Sequence, residues 1–269
     1  MRQNKEEPKI VYYSDPINDD FANTPIGGST PPKGFRYLHK NIFYRFFAFV
    51  LYHLILTPFI FLFLKPFYRI RIIGKEKIKS VKGGYYVYGN HTAKLTDAIH
   101  PTMISFPKKS YILVNPDATS VPVLRTIVQM LGGIPLYDDF HLKKECLRTI
   151  HKRVEDKNCI FIYPEAHIWP YCTWIRPFPD LSFRYPAKSN TPVFACTTVF
   201  SKRKFLFQSI PKYTYYLDGP FYPDENLSVK ENQKRLRDQV YKAMTERSKL
   251  STYEKVKYLP VEENMECVQ

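Results

Sequence analysis

The run FFAFVLYHLILTPFIFLFL, residues 46–64, constrains this chain more than any other stretch. It carries no formal charge, and as a helix it would reach about 28 Å, the thickness of a bilayer's hydrocarbon core. A surface helix of a soluble domain keeps a polar side, and this run has none, so a buried core helix is the weaker reading. His53 and Pro58 argue against a plain span, because proline removes a backbone donor and kinks or breaks a helix. Basic residues stand on both sides, with Arg36, Lys40 and Arg45 before and Lys65, Arg69, Arg71, Lys75 and Lys77 after. Aromatic-rich apolar sequence between basic flanks suits an interfacial or re-entrant helical hairpin over an anionic membrane surface, with a single span as second choice. For a span, the heavier downstream charge puts the C-terminal bulk in the cytoplasm.

After this segment the pattern changes to short β-rich runs alternating with helical stretches. Candidate strands lie at 68–73, 85–89, 110–115, 133–137, 159–164, 192–200 and 213–219, and candidate helices near 94–105, 120–131, 141–156 and 228–249. Asp138-Asp139 can cap the third helix. Ser228 with Glu231 has capping-box spacing at the start of the fourth. Alternation of this kind predicts an α/β fold, a mostly parallel or mixed sheet flanked by helices, behind an N-terminal apolar membrane-associating segment. The expected organisation is a polar, poorly ordered 1–40, the membrane-associating helical segment at 41–66, an α/β domain at 67–250, and a loose tail at 251–269.

Hydrophobic residues make up 44% of the chain, with 21 Tyr and 20 Phe, which excludes a wholly disordered protein. The formal charge of +15 favours an anionic partner: nucleic acid, acidic lipid or a phosphorylated substrate. The five cysteines show no CxxC spacing, so neither a zinc site nor a disulfide framework is expected, and a reducing compartment is favoured. No GxSxG, HExxH, Walker A or GxGxxG motif is present.

In open α/β sheets, function collects in loops after the C-terminal ends of strands. Two such loops stand out, Gly89-Asn90-His91 and Tyr163-Pro164-Glu165-Ala166-His167. Asp97 follows His91 by six residues, close enough across a loop and helix start for the side chains to meet. A carboxylate that fixes one imidazole nitrogen leaves the other to take a proton from a hydroxyl. Glu165 follows an apolar strand, where an unpartnered carboxylate is costly if buried. His167, Trp169 and Tyr171 are candidates for pocket lining or packing, and His100 reads as structural.

Four blocks recur in order: GNHTAKLTDA (89–98), GGIPLYDD (132–139), FIYPEAH (161–167) and TPVFACTTVF (191–200). Together with the upstream apolar segment, the series resembles the glycerophospholipid acyltransferase (PlsC-like) family over roughly residues 45 to 220. The resemblance implies His91 as general base, Asp97 as its orienter and Glu165 as a carboxylate of the acceptor site, with Asn90, Lys94, Lys143 and Arg176 as further substrate-binding candidates. It implies transfer of an acyl group from acyl-CoA or acyl-ACP to 1-acylglycerol-3-phosphate, giving phosphatidic acid, with no cofactor and no metal. It also implies membrane association with the active site facing the cytoplasm.

The sequence departs from the family pattern at three points. Five residues separate His91 from Asp97 instead of four, Asp138 and Asp139 stand where an arginine usually ends the second block, and the arginine after the third block is missing. A phosphate still needs cations, for which Lys94, Lys143, Lys144, Arg148 and Arg176 are open candidates. Three alternatives remain: another acceptor, such as glycerol 3-phosphate or another lysophospholipid; a non-catalytic membrane scaffold; and a basic nucleic-acid-binding protein, which lacks any recognisable motif here.

Overall fold

Period-2 patterning in the central strands explains how the domain is layered. In β3 (Tyr85–Gly89), Tyr86 and Tyr88 pack into one core while Tyr85 and Val87 pack into another on the opposite face. β6 (Cys159–Ile162) divides the same way, with Ile160 and Ile162 on one side and Cys159 and Phe161 on the other. A sheet apolar on both faces must be covered by helices on both. The computed structural model describes residues 7–21, 31–119, 121–204 and 207–261, and shows that arrangement.

The sheet has seven strands, in the order β2-β8-β7-β3-β6-β4-β5. The remaining members are β2 (Arg71–Ile73), β4 (Ser110–Val114), β5 (Gly133–Pro135), β7 (Val193–Ser201) and β8 (Lys212–Phe221). All neighbouring pairs are parallel except β7 with β8. One face carries α1 (Ile42–Phe67) and α3 (Thr96–Ser105), following the short helix α2 (Glu76–Lys79) in the chain. The other carries α5 (Phe140–Glu155), α6 (Arg184–Ser189) and α7 (Val229–Ser248), while α4 (Pro122–Met130) lies beside α1. Asp139 caps α5 by accepting from the Leu142 N–H at 2.9 Å, and Ser228 with Glu231 closes a capping box on α7.

The apolar segment differs from the expected hairpin. It forms one continuous helix of 26 residues, long and apolar enough to cross a bilayer. The turn that Pro58 was expected to break is absorbed by π-type widening over Val50–Leu56 and Ile60–Leu64. The Thr57 hydroxyl donates to the Tyr52 carbonyl at 2.7 Å. One line of the helix, Tyr52, Thr57 and Ile60, is buried against the domain. The rest is largely exposed, including Phe43, Phe46, Leu54, Leu62 and Phe63.

The termini also differ from the loose segments expected. β1 (Lys9–Tyr13) pairs in parallel with β9 (Val256–Pro260). Their side chains form a third small core around the fully buried Trp169, with Tyr13, Phe21, Cys172 and Tyr258. A strand of five residues at each end, unpaired locally and joined only through the fold, leaves no short-range signal in the sequence. The expectations for residues 1–6, 22–30 and 262–269 lie outside the described residues.

Candidate active site

β3 and β6 are parallel neighbours, so the loops that follow them leave the same edge of the sheet side by side. Gly89, the last residue of β3, has no room for a side chain. A Cβ there would stand 2.8 Å from the Phe161 ring and 3.1 Å from that of Tyr163. The chain then turns through Asn90, whose side-chain oxygen accepts from the Thr198 N–H of β7 at 2.8 Å. Asn90 is 2% exposed and acts here as a bracket between strands.

His91 and Asp97 meet. Nδ1 of His91 lies 2.8 Å from an Asp97 carboxylate oxygen that also accepts from the Ala93 N–H at 2.9 Å. The extra residue in the intervening loop is therefore accommodated before α3 begins at Thr96, with Asp97 in its first turn. The Asp97 side chain is 2% exposed and that of His91 is 16% exposed, so the carboxylate is sealed while the ring keeps an opening. Tyr163 stacks on the His91 ring, with centroids 4.3 Å apart and planes 14° apart, and its hydroxyl donates to the Asp97 carbonyl at 2.5 Å. Burial pushes the Tyr163 phenol well above its ordinary pKa, so it stays a donor.

Glu165 supports the pair from below. One oxygen accepts from the His91 N–H at 3.0 Å and from the Arg176 guanidinium at 3.2 Å, and the other accepts from the Arg176 N–H at 3.1 Å. Burial raises the Glu165 carboxyl above its usual range, against the pull of Arg176 and of the two backbone N–H groups. Arg176 is itself buried, lies over the Trp169 ring at 4.8 Å, and donates to the His167 carbonyl. Backbone bonds from Trp169 N–H to the His91 carbonyl (3.0 Å) and from Tyr171 N–H to the Thr92 carbonyl (2.8 Å) tie the second loop to the first. Ala166 adopts φ 62°, a left-handed turn that lets the chain reverse immediately after Glu165.

Residues 69–199 match the Acyltransferase family. These residues form an acyltransferase domain, in keeping with the sequence's resemblance to the glycerophospholipid acyltransferases. Its fold is similar to that of the 1-acyl-sn-glycerophosphate (LPA) acyltransferase PlsC from Thermotoga maritima, with a TM-score of 0.52 and 17% identity over 76% of this chain and 86% of that one. No curated protein matches the chain.

Within this acyltransferase domain, the sequence candidates fall into separate places. His91, Asp97 and Glu165 lie in one network, and Asn90, next to His91 in the chain, bonds instead to Thr198 of β7. Arg176 joins it through Glu165, with its charge turned inward rather than toward a ligand. Lys94 is exposed in the same loop as His91. Lys143 is elsewhere, exposed on the first turn of α5 and ion-paired with Asp138. His100 is fully buried, with Nδ1 2.8 Å from the Thr96 carbonyl and its ring stacked on Tyr215. Burial depresses its pKa to about 4. Sequence reasoning missed Tyr163 as the platform for His91, although it lies two residues before Glu165. It also missed the Glu165–Arg176 pair, whose available signal was a lone cation inside the aromatic stretch HIWPYCTWIRPF.

Proposed function

We propose that the protein transfers an acyl group from a thioester donor to the free hydroxyl of 1-acylglycerol-3-phosphate, giving phosphatidic acid, with His91 as general base. The observation that carries this reading is the His91–Asp97 bond at 2.8 Å. With Nδ1–H held by a buried carboxylate, the imidazole is fixed in the tautomer whose Nε2 accepts a proton. The acceptor hydroxyl gives that proton to Nε2 as its oxygen attacks the thioester carbonyl. Collapse of the tetrahedral adduct breaks the C–S bond, and the proton returns to the departing thiolate. Asp97 stabilises the imidazolium formed between these steps, and the Tyr163 stack keeps the ring from swinging.

The donor is acyl-CoA or acyl-ACP as co-substrate, and the thioester's own activation leaves no need for a metal. The acceptor comes from the bilayer, which fits a base at the sheet edge of a domain carrying an exposed apolar helix, and an active site on the cytoplasmic side. Lys94 is the candidate cation closest in sequence to the base. A nucleic-acid partner has no use for that helix.

The test is a product assay in mixed micelles with 1-acylglycerol-3-phosphate and each thioester. His91→Ala is expected to lower turnover at least about a hundredfold while keeping the wild-type circular dichroism spectrum. Equal product from both proteins would remove His91 as the base. Activity only with another lysolipid or with glycerol 3-phosphate would move the acceptor assignment and leave the chemistry standing.

A further inference from the structure

A second feature of the same sheet edge has no part in this chemistry. Where α1 ends and β2 begins, a groove of about 570 Å³ is lined by Phe61, Lys65, Arg69, Arg71 and Lys212, together with Pro66 and Ile70. Four cations face it and no acid does. Among the described residues, none of the four takes part in a salt bridge.

The surroundings add positive charge. Arg203 is buried beside the groove and donates to the Phe67 carbonyl at 2.6 Å, and its pKa is lowered by burial and by Arg69. Lys75 lies over the Phe61 ring at 5.9 Å, and its pKa is lowered by burial and by Lys65 and Lys79. The carboxyl end of a helix attracts a cation in its last turn, which accounts for Lys65. It does not account for Arg71 on β2 or Lys212 on β8. Arg69 holds φ 48°, a left-handed conformation that is unfavourable for a non-glycine residue. Like charges gathered at a backbone cost, without a counter-charge, match an anion that arrives from outside.

The groove is continuous with the apolar face of α1. Phe59, Leu62, Phe63 and Phe67 are exposed there, and Phe207, also exposed, meets Phe67 at 5.5 Å. We propose that this groove binds the phosphate of an anionic glycerophospholipid whose chains lie along α1, a lipid site separate from the active site. The separation follows from register. Asn90 bonds to Thr198, Thr198 pairs with Tyr215, and Tyr215 pairs with Ile72, the neighbour of Arg71. Three strand spacings then place the groove about 14 Å from the His91 loop. A glycerol phosphate is too short to reach the groove while its hydroxyl sits at His91, so the lipid bound here is a second molecule.

The experiment is sedimentation of the purified full chain with phosphatidylcholine vesicles, alone or doped with phosphatidic acid or phosphatidylglycerol. It reads no turnover, so it stands apart from the acyl-transfer reading. The variant is Arg69→Gln/Arg71→Gln/Lys212→Gln, and the control is Lys230→Gln/Lys234→Gln/Lys242→Gln on α7, with equal melting temperatures required of both. The groove variant is expected to lose the preference for anionic vesicles by about tenfold or more, at unchanged binding to neutral ones. The control is expected to keep most of it.

Equal loss in the two variants would overturn the site in favour of a diffuse field, and no loss in either would overturn it outright. Displacement from anionic vesicles by millimolar inorganic phosphate, lost in the groove variant alone, would assign the groove to a free phosphate instead. In a separate turnover assay, a raised KM for the acyl thioester in the groove variant, with vesicle binding intact, would overturn the lipid site in favour of the donor's phosphate.

Discussion

Removing either member of the buried Glu165–Arg176 pair strands the other's charge away from water. Arg176→Met is therefore expected to cost about 3–5 kcal/mol in denaturant unfolding, whereas Glu165→Gln/Arg176→Met recovers much of that loss. An unchanged unfolding midpoint in the single variant would mean that the guanidinium is solvated. His100 makes a separate prediction. Its folded pKa is about 4 against an ordinary 6.5, because burial disfavours the charged ring. Below 6.5 the unfolded chain takes up the proton first, so stability falls as pH drops from 6.5 to about 4, by roughly 3 kcal/mol for this group. Thermal melts of His100→Asn are expected to show a shallower acid limb than the wild type. The sequence placed His100 as structural without its stacked, buried setting, and the Glu165–Arg176 pair could not be read from it at all. The contact between His91 and Asp97 was legible because only a short stretch of one loop and helix start separates them. Arg176 looked like a phosphate ligand because its partner, Glu165, lies eleven residues upstream and is brought to it by the chain reversal at Ala166, which nothing local in the sequence reports.

At the scale of elements, the seven sheet strands and the four longer helices of the domain fall within a few residues of the sequence reading, since each carries its own local residue pattern, and α5 and α7 their own caps. The Asp139 and Ser228 caps were visible because a cap is a local hydrogen bond between near neighbours. α1 escaped in its form: the sequence showed a proline where a helix should break, but not the widened turns that absorb it. β1 and β9 escaped altogether, because each is half of a pair joined across the length of the chain. Their role gives a test. Tyr13 and Phe21 each pack 5.0 Å from the Trp169 ring, whose N–H donates to the Asp19 carbonyl at 2.7 Å. Trp169 and Trp174 are the chain's two tryptophans. Deleting residues 1–21 is expected to shift tryptophan emission to the red and to lower the melting temperature, with the far-ultraviolet spectrum of the main sheet retained. Unshifted emission would mean that the N-terminal arm does not cover the loop carrying Glu165.

For the whole molecule, the two faces of the sheet are finished differently. α5 and α7 close one side with charged outer surfaces, whereas α1 closes the other with a surface of phenylalanine and leucine. An exposed apolar strip on this scale, rimmed by cations in a chain of charge +15, is suited to lie against a negatively charged bilayer. The buried line Tyr52, Thr57 and Ile60 fixes how the helix lies. Tyr52 donates to Thr102 at 3.1 Å and accepts from the Ser110 N–H at 2.9 Å, so the helix is held to the domain along one side. A helix so held can immerse only its outer side without carrying the domain into the lipid. Phe43, Phe46 and Phe63 lie on that side at 70%, 59% and 60% exposure, so replacing all three with serine should spare the fold. Each buried phenylalanine contributes about 1.5–3 kcal/mol to transfer from water, so the triple variant should leave neutral vesicles and stay in solution without detergent. Vesicle sedimentation beside a thermal melt reads both halves of this prediction. Loss of vesicle binding at an unchanged melting temperature would identify the strip as the membrane-contacting face. A variant that unfolds would instead mean that the strip is covered by protein, and that the bilayer contact has to be sought elsewhere on the surface.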